Sequence, residues 1–294
     1  MKLGVAIPTF SAQVSTPIEA ARRAADAGAD AVFAVDHLFP PGMPERPSFE
    51  PFSLLSTIAA AEPNLGVGVL VTRAGVRPPG LIAKQAASLH DLSGGRAVLG
   101  IGMGDALVRA EHDTLGLPFP AADVRLTRLE ETATAIRALF AGRMWPGGDH
   151  VPPLRGPLLP PGNPPVWLGG IGERVVRAAA RAADAWNGWG LDADGFDERV
   201  RLLHAAAEQE GRDAGDVPPT WGGIVLVGRD RGELARLEGE RAARGVAWNP
   251  WRGTLEDLRV FAARLRAAGA TWMVVMPAGP EDRVELIART LRAG

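Results

Sequence analysis

The stretch Thr16–His37, TPIEAARRAADAGADAVFAVDH, contains one whole structural unit and an unexpected ending. Thr16-Pro17-Ile18-Glu19 places a cap, a first-turn proline and a capping acid in register for a helix start. Ile18, Ala21, Ala24 and Ala25 then form a narrow apolar face, and Gly28 supplies the stop. Ala31–Val35 follows as a short apolar run, the length of a strand buried on both faces. The run stops on Asp36-His37, with Leu38, Phe39 and two prolines behind them. A buried strand that ends on two ionisable groups poses a choice between a fold role and a chemical one.

Working outward, the same alternation fills the chain. Further apolar runs stand at Leu3–Ile7, Leu65–Val71, Ala97–Ile101, Val166–Leu168, Ala185–Trp189, Gly223–Val227 and Trp272–Met276. Between them lie helical patterns. In 123–140, Leu126, Leu129, Ala133, Ile136 and Leu139 or Phe140 share one side. Near the end, Thr254 caps a helix whose Leu255, Leu258, Phe261 and Leu265 face inward and which Gly269 ends. Eight strands alternating with helices, with no break between halves, predict an α/β fold: a (β/α)8 TIM barrel over residues 1–294 as one domain. A doubly wound sheet is the competing architecture. Met144–Pro165, after the fourth strand and its helices, is rich in Pro and Gly and reads as a lid, a binding loop or an ordered excursion.

Composition narrows the function. The chain has 294 residues, a net charge of −2, 46% hydrophobic and 22% charged residues, and no cysteine. Near-neutral charge speaks against nucleic-acid or membrane-surface partners, leaving a small-molecule substrate. Disulfides, thiolate metal sites and a cysteine nucleophile are excluded. The start reads as a first strand rather than a signal peptide, and no run approaches a membrane span, so a cytoplasmic location is expected. Only two of the basic residues are lysines, Lys2 and Lys84, an arginine bias typical of high-GC, actinobacterial-type genomes.

In a barrel, chemistry sits at the C-terminal strand ends. His37 is the leading acid–base candidate, because imidazole titrates near neutrality and Asp36 beside it can bias its charge. The alternative is a histidine satisfied by a carbonyl. In GIGMGDAL, Gly102 and Gly104 clear space for something flat, and Asp105 projects into the mouth or caps the next helix. Gly169-Gly170-Ile171-Gly172 leads from a strand into a helix, which makes either a phosphate cradle or a tight turn. Trp145, Trp186, Trp189, Trp248 and Trp251 stand at strand ends or in loops, where aromatics often line pockets. The histidines lack metal-ligand spacing, and no nucleophile elbow is present.

The segment GVGVLVTRAGVRPPGLIAKQAASLHDLSGGRAVLGIGMGD (66–105) resembles the signature of the bacterial luciferase-like family. PPVWLGGIGERVVRAAARAADAWNGW (164–189) resembles that family's later signature, and EHDTLGLPFP followed by RLTRLEE is similar to its helical region. Members use either reduced flavin mononucleotide with oxygen or the deazaflavin coenzyme F420. VDHLFP resembles a motif of deazaflavin dehydrogenases in which the histidine sits by the reactive carbon. GMGDAL resembles their GTGEAL, with Asp105 in place of Glu. The resemblance therefore implies an F420-dependent oxidoreductase, with His37 and Asp105 catalytic and FMN as the alternative cofactor. It implies a ring stacked on Gly68 and Val69 across a cis peptide, with Asp36 at the ring's polar edge. Gly104, Gly169, Gly170, Ile171, Gly172, Trp189 and Gly190 would lie along the rest of the cofactor. Val108 replaces a polar residue, and neither lysine suits a sugar phosphate, so the substrate is expected to be less charged and to meet Phe10, Trp145 and Trp251. A flavin monooxygenase and a non-catalytic cofactor-binding paralogue are the rival readings, and a homodimer is implied.

Overall fold

A computed structural model describes residues 1–245 and 249–292. Its strands are β1 (Lys2–Ala6), β2 (Ala31–Ala34), β3 (Gly66–Arg73), β4 (Ala97–Gly102), β5 (Val166–Gly169), β6 (Ala185–Trp189), β7 (Pro219–Gly228), β8 (Trp251–Thr254) and β9 (Trp272–Ala278). The principal helices are α1 (Ser15–Asp26), α2 (Pro51–Ala61), α3 (Pro79–Leu92), α4 (Arg109–Thr114) and α5 (Ala122–Phe140). They continue as α6 (Glu173–Ala182), α7 (Ala193–Gln209), α8 (Arg231–Ala243), α9 (Leu255–Ala267) and α10 (Arg283–Arg292). All strand pairs are parallel. β1 through β7 and β9 pair in a ring, β6 meeting β7, β7 meeting β9 and β9 meeting β1, so eight strands close the expected (β/α)8 barrel.

The ninth strand was not expected. β6 pairs with β7 only as far as Gly222, while β7 runs on to Gly228. β8 takes the free edge from Val225 to Gly228, outside the ring. β7 also begins at Pro219 rather than Gly223, because Thr220 and Trp221 are buried despite their polar atoms. Helix α1 begins two residues earlier than the Thr16 signal implied, with Val14 as N-cap and no side-chain cap. The Thr254 signal is matched: Thr254 and Asp257 form a complete capping box on α9.

The side chains divide between two cores. Strand residues turned outward, among them Val32, Val67, Leu99, Leu168, Trp186 and Trp221, pack under helix residues such as Ile58, Ile82, Ile136 and Phe261. Inward-facing residues form a smaller cluster centred on Phe33, Trp167 and Trp272, whose rings lie 5.7–5.9 Å apart. Phe33 fits because Gly4 and Gly68 have no Cβ; a methyl at either would come within 2.6 Å of its ring. Trp272 is the first residue of β9 and Trp167 the second of β5, so this trio floors the barrel at its N-terminal end, with Lys2 Nζ 5.2 Å from the Trp272 ring.

The 144–165 insertion joins α5 to the start of β5, so it enters from that same N-terminal end. Its contacts go to the flanking helices. Glu131 of α5 accepts the N–H groups of Asp149, His150 and Val151, and Lys84 of α3 donates to the Leu159 carbonyl. It is therefore an ordered excursion on the barrel's flank, not a lid over the mouth. Among the described residues, no helix is long and apolar enough to cross a membrane.

Candidate active site

Three strands, β2, β3 and β4, and the segments after them bring ionisable or hydroxyl groups to the C-terminal rim, and these assemble into two separate clusters. The first centres on Asp36, just past β2. Its carboxylate is buried; it accepts Thr72 Oγ1 at 2.7 Å and both terminal nitrogens of Arg77. Arg77 also donates to Glu50, the N-cap of α2, at 3.0 Å. Burial disfavours the Arg77 charge, but Asp36 and Glu50 outweigh it and leave the guanidinium pKa raised.

The second cluster centres on Glu111 of α4, which is fully buried. Its Oε1 lies 2.7 Å from His37 Nδ1, and its Oε2 accepts the Leu38 N–H and Arg73 Nη2, both at 2.8 Å. Burial alone would raise the Glu111 pKa. The His37 contact, the Leu38 N–H and the charges of His37 and Arg73 reverse this and hold it below the ordinary carboxylate value. An ionised carboxylate has no proton to give, so His37 Nδ1 carries the hydrogen. Its Nε2 makes no hydrogen bond among the described residues, and the side chain is 23% exposed beside Phe10, at 5.9 Å between ring centroids. Next in α4, His112 donates from Nδ1 to the Pro118 carbonyl at 2.9 Å. Burial, reinforced by Arg73, lowers its pKa and keeps it neutral.

Asp36 and His37 thus part company, the first turning to Arg77 and the second to Glu111. Asp36, expected at the polar edge of a cofactor, has both its oxygens engaged inside the protein. Asp105 is exposed and caps the short turn after β4 by accepting the Leu107 N–H at 2.9 Å, the helix-cap alternative rather than a group turned to His37. Gly104 makes that turn with φ +73.

The ring platform expected at Gly68 and Val69 also moves. Gly68 faces the floor against Phe33, and Val69 faces the helices. The cis peptide is Leu70–Val71, not Gly68–Val69, and it falls where the β3–β4 register shifts between Val69 and Thr72. There the Val71 side chain lies against Gly100, Gly102 and Gly169; a Cβ on those glycines would meet it at 3.1, 2.6 and 2.8 Å. Val71, Trp189 and Met276, all half-buried, cover the interior cluster from above and give the mouth an apolar bed.

Gly169, Gly170, Ile171 and Gly172 run from β5 into α6, with Gly172 as its N-cap and open space where a Cβ would stand. Gly190, after Trp189, is equally open and is tied by its N–H to the Gly222 carbonyl at 2.7 Å. The chain therefore offers a flat apolar surface, a glycine approach to a helix N-terminus and a histidine at the edge. That donor set fits a planar redox cofactor with a phosphate-bearing tail.

Two aromatics leave the expected site. Trp145 pairs with Leu154 and lines a cavity with Pro165 and Asp184, which precede β5 and β6, at the end opposite the mouth. Trp251 lies flat on Phe261 of α9, 5.2 Å away, on the helical side of β7. Trp186 is core, stacked on Phe196, and Trp248 lies outside the described residues. Glu111, Arg73, Thr72 and Arg77 were not foreseen as site residues. The available signal was Arg73, a charge inside an otherwise apolar strand.

Comparison with known proteins agrees with this architecture. The chain is 32% identical over 217 residues to phthiodiolone/phenolphthiodiolone dimycocerosates ketoreductase of Mycobacterium tuberculosis and Mycobacterium bovis. The match covers 69% of this chain and 55% of the relative, so the chain spans about half the length of the curated relatives it matches. In fold it is similar to an F420-dependent secondary alcohol dehydrogenase in complex with an F420-acetone adduct (TM-score 0.85, 16% identity, 99% and 98% of the two chains). It is similar also to EDTA monooxygenase from Chelativorans sp. BNC1 (TM-score 0.79, 17% identity, 99% and 92%). A family model described as luciferase-like monooxygenase matches residues 1–290. On that near-complete match, and with the closed barrel to support it, the chain belongs to the luciferase-like family.

Proposed function

We propose that this protein is an F420-dependent oxidoreductase that interconverts a neutral carbonyl compound and its alcohol. The observation that carries the reading is His37, whose Nδ1 is held by buried Glu111 while its Nε2 makes no hydrogen bond among the described residues and the side chain stays partly exposed. Coenzyme F420, when bound, supplies or accepts the hydride. Val71, Trp189 and Met276 offer its ring an apolar bed, Ile171 and Gly172 at the start of α6 offer its tail backbone N–H groups, and Gly190 offers open space beside it. His37 Nε2 gives a proton to the carbonyl oxygen in reduction and takes one from the hydroxyl in oxidation. Glu111 keeps the ring oriented and stabilises the imidazolium whenever it forms.

A neutral substrate is favoured because the rim cations Arg73 and Arg77 are already paired inside the protein. The two lysines lie elsewhere, Lys2 at the floor and Lys84 on the flank. The names of a ketoreductase relative and an alcohol dehydrogenase neighbour support the same chemistry.

The test is titration with F420 and with flavin mononucleotide, read by tryptophan fluorescence, followed by turnover of F420 with a ketone or secondary alcohol panel. Tight F420 binding and oxygen-independent turnover are expected. Binding of flavin mononucleotide with oxygen consumption makes the protein a monooxygenase, and binding of F420 with no turnover of any substrate makes it a carrier.

A further inference from the structure

Arg73 is the least explained charge near the mouth. It stands at the last position of β3, is 4% exposed, and has Glu111 as its one hydrogen-bonding partner among the described residues. Its Nε and Nη1 are buried with no hydrogen bond. Burying a guanidinium for a single contact is costly unless its charge is needed where it lies. Glu111 presents two oxygens to three donors, and only Arg73 among them carries a permanent charge.

We infer that Arg73 is a positioning residue which, through Glu111, sets the pH at which His37 gains and loses its proton. The inference rests on the reading of His37 as the proton-transfer group. Without Arg73, the whole Glu111 charge would act on His37 and favour the imidazolium. With Arg73 sharing that charge, His37 keeps its Nδ1 anchor and still releases a proton from Nε2.

The other groups facing His37 do not replace this control. Phe10, from the loop after β1, carries no charge. Asp36 is spent on Arg77 and Thr72, and Arg77 is spent on Asp36 and Glu50. His112, next to Glu111, is bonded to the Pro118 carbonyl. Because Arg73 also disfavours charge on His112, that histidine serves as a second reporter on the other side of the same guanidinium.

The test follows the imidazole resonances of the cofactor-free protein across pH by ¹H–¹⁵N NMR. The chain has five histidines, and His37 is assigned from its loss in His37→Gln. In Arg73→Gln, the His37 midpoint is expected to rise by about one pH unit. In Glu111→Gln it should fall, and in Arg73→Lys, which keeps the charge, it should stay at the wild-type value. Opposite shifts from two neighbouring substitutions cannot arise from a general loosening of the fold. An unmoved or lowered His37 midpoint in folded Arg73→Gln overturns the inference. Should Arg73→Gln fail to fold by circular dichroism, Arg73→Lys decides, since a displaced midpoint there overturns it and a wild-type one supports it. The spectra contain neither cofactor nor substrate, so failure of the F420 reading and failure of this inference are separate results.

Discussion

Phe33, Trp167 and Trp272 at the floor touch each other through ring faces and edges, and Lys2 lies over the Trp272 ring. Asp36, Arg73, Arg77 and Glu111 at the mouth are also largely buried, yet charge pairing holds them there. The same parallel strands carry both. At the floor, glycines on β1 and β3 yield space to one large ring, so shape decides and pH has no purchase. At the mouth, each carboxylate has its own arginine, so charge decides and removing one partner strands the other. The division matches what a barrel needs, with stability at one end and chemistry at the other.

The sharpest way to test that division is His37→Ala. Turnover is expected to fall by about 10²–10⁴-fold with cofactor affinity nearly unchanged. Unchanged turnover would remove chemistry from this corner of the mouth. The mirror experiment is Phe33→Ala, expected to cost about 3–5 kcal/mol in denaturant unfolding while leaving the His37 titration where it is. A shift of that titration would mean the two ends are coupled.

Asp36→Asn is expected to cost less, about 1–3 kcal/mol, because it weakens hydrogen bonds to a charged partner while Arg77 keeps Glu50. It should leave the pH profile of turnover in place, whereas Glu111→Gln should move it. Acid unfolding separates the ends again. Glu111 titrates below its ordinary 4.5 in the folded protein, so the unfolded chain takes up the proton first. The stability that Glu111 contributes is therefore whole above about pH 4.5 and is lost as pH falls through the lower, folded value. Glu111→Gln should flatten that part of the stability–pH curve, and Phe33→Ala should lower the curve without changing its slope there. The smallest effect belongs to Trp145→Ala, which should leave kcat/KM within about twofold because the ring lies at the far end of the barrel.

The barrel was legible in the sequence because seven of its strands are apolar runs bounded by caps and glycines. The eighth, β7, was half legible, since its start hides in Thr220 and Trp221, whose burial comes from neighbours. β8 was not legible. Four residues with an exposed Arg252 pair only with the overhang of β7, and nothing local marks that overhang. His37 stood out because an ionisable residue closed an apolar strand. Glu111 did not, because Glu-His-Asp in a short helix is the ordinary look of a solvated face. Its burial is imposed by His37 and Arg73, which are 74 and 38 residues away along the chain. The expected platform at Gly68 missed by three residues for a related reason. Glycine in a strand marks close approach, and at Gly68 what approaches is Phe33, not a ligand.

The aromatic floor has a consequence for traffic. With Phe33 fully buried and Trp167 nearly so, the aromatic floor closes the N-terminal end of the barrel axis among the described residues. Anything that enters must leave by the way it came. A molecule seated on Val71 and Trp189 therefore lies beneath whatever follows it, so the first to arrive is the last to depart. Steady-state kinetics should follow a compulsory order, with the deeper ligand leading, and dead-end analogues of the upper one should trap the lower in place.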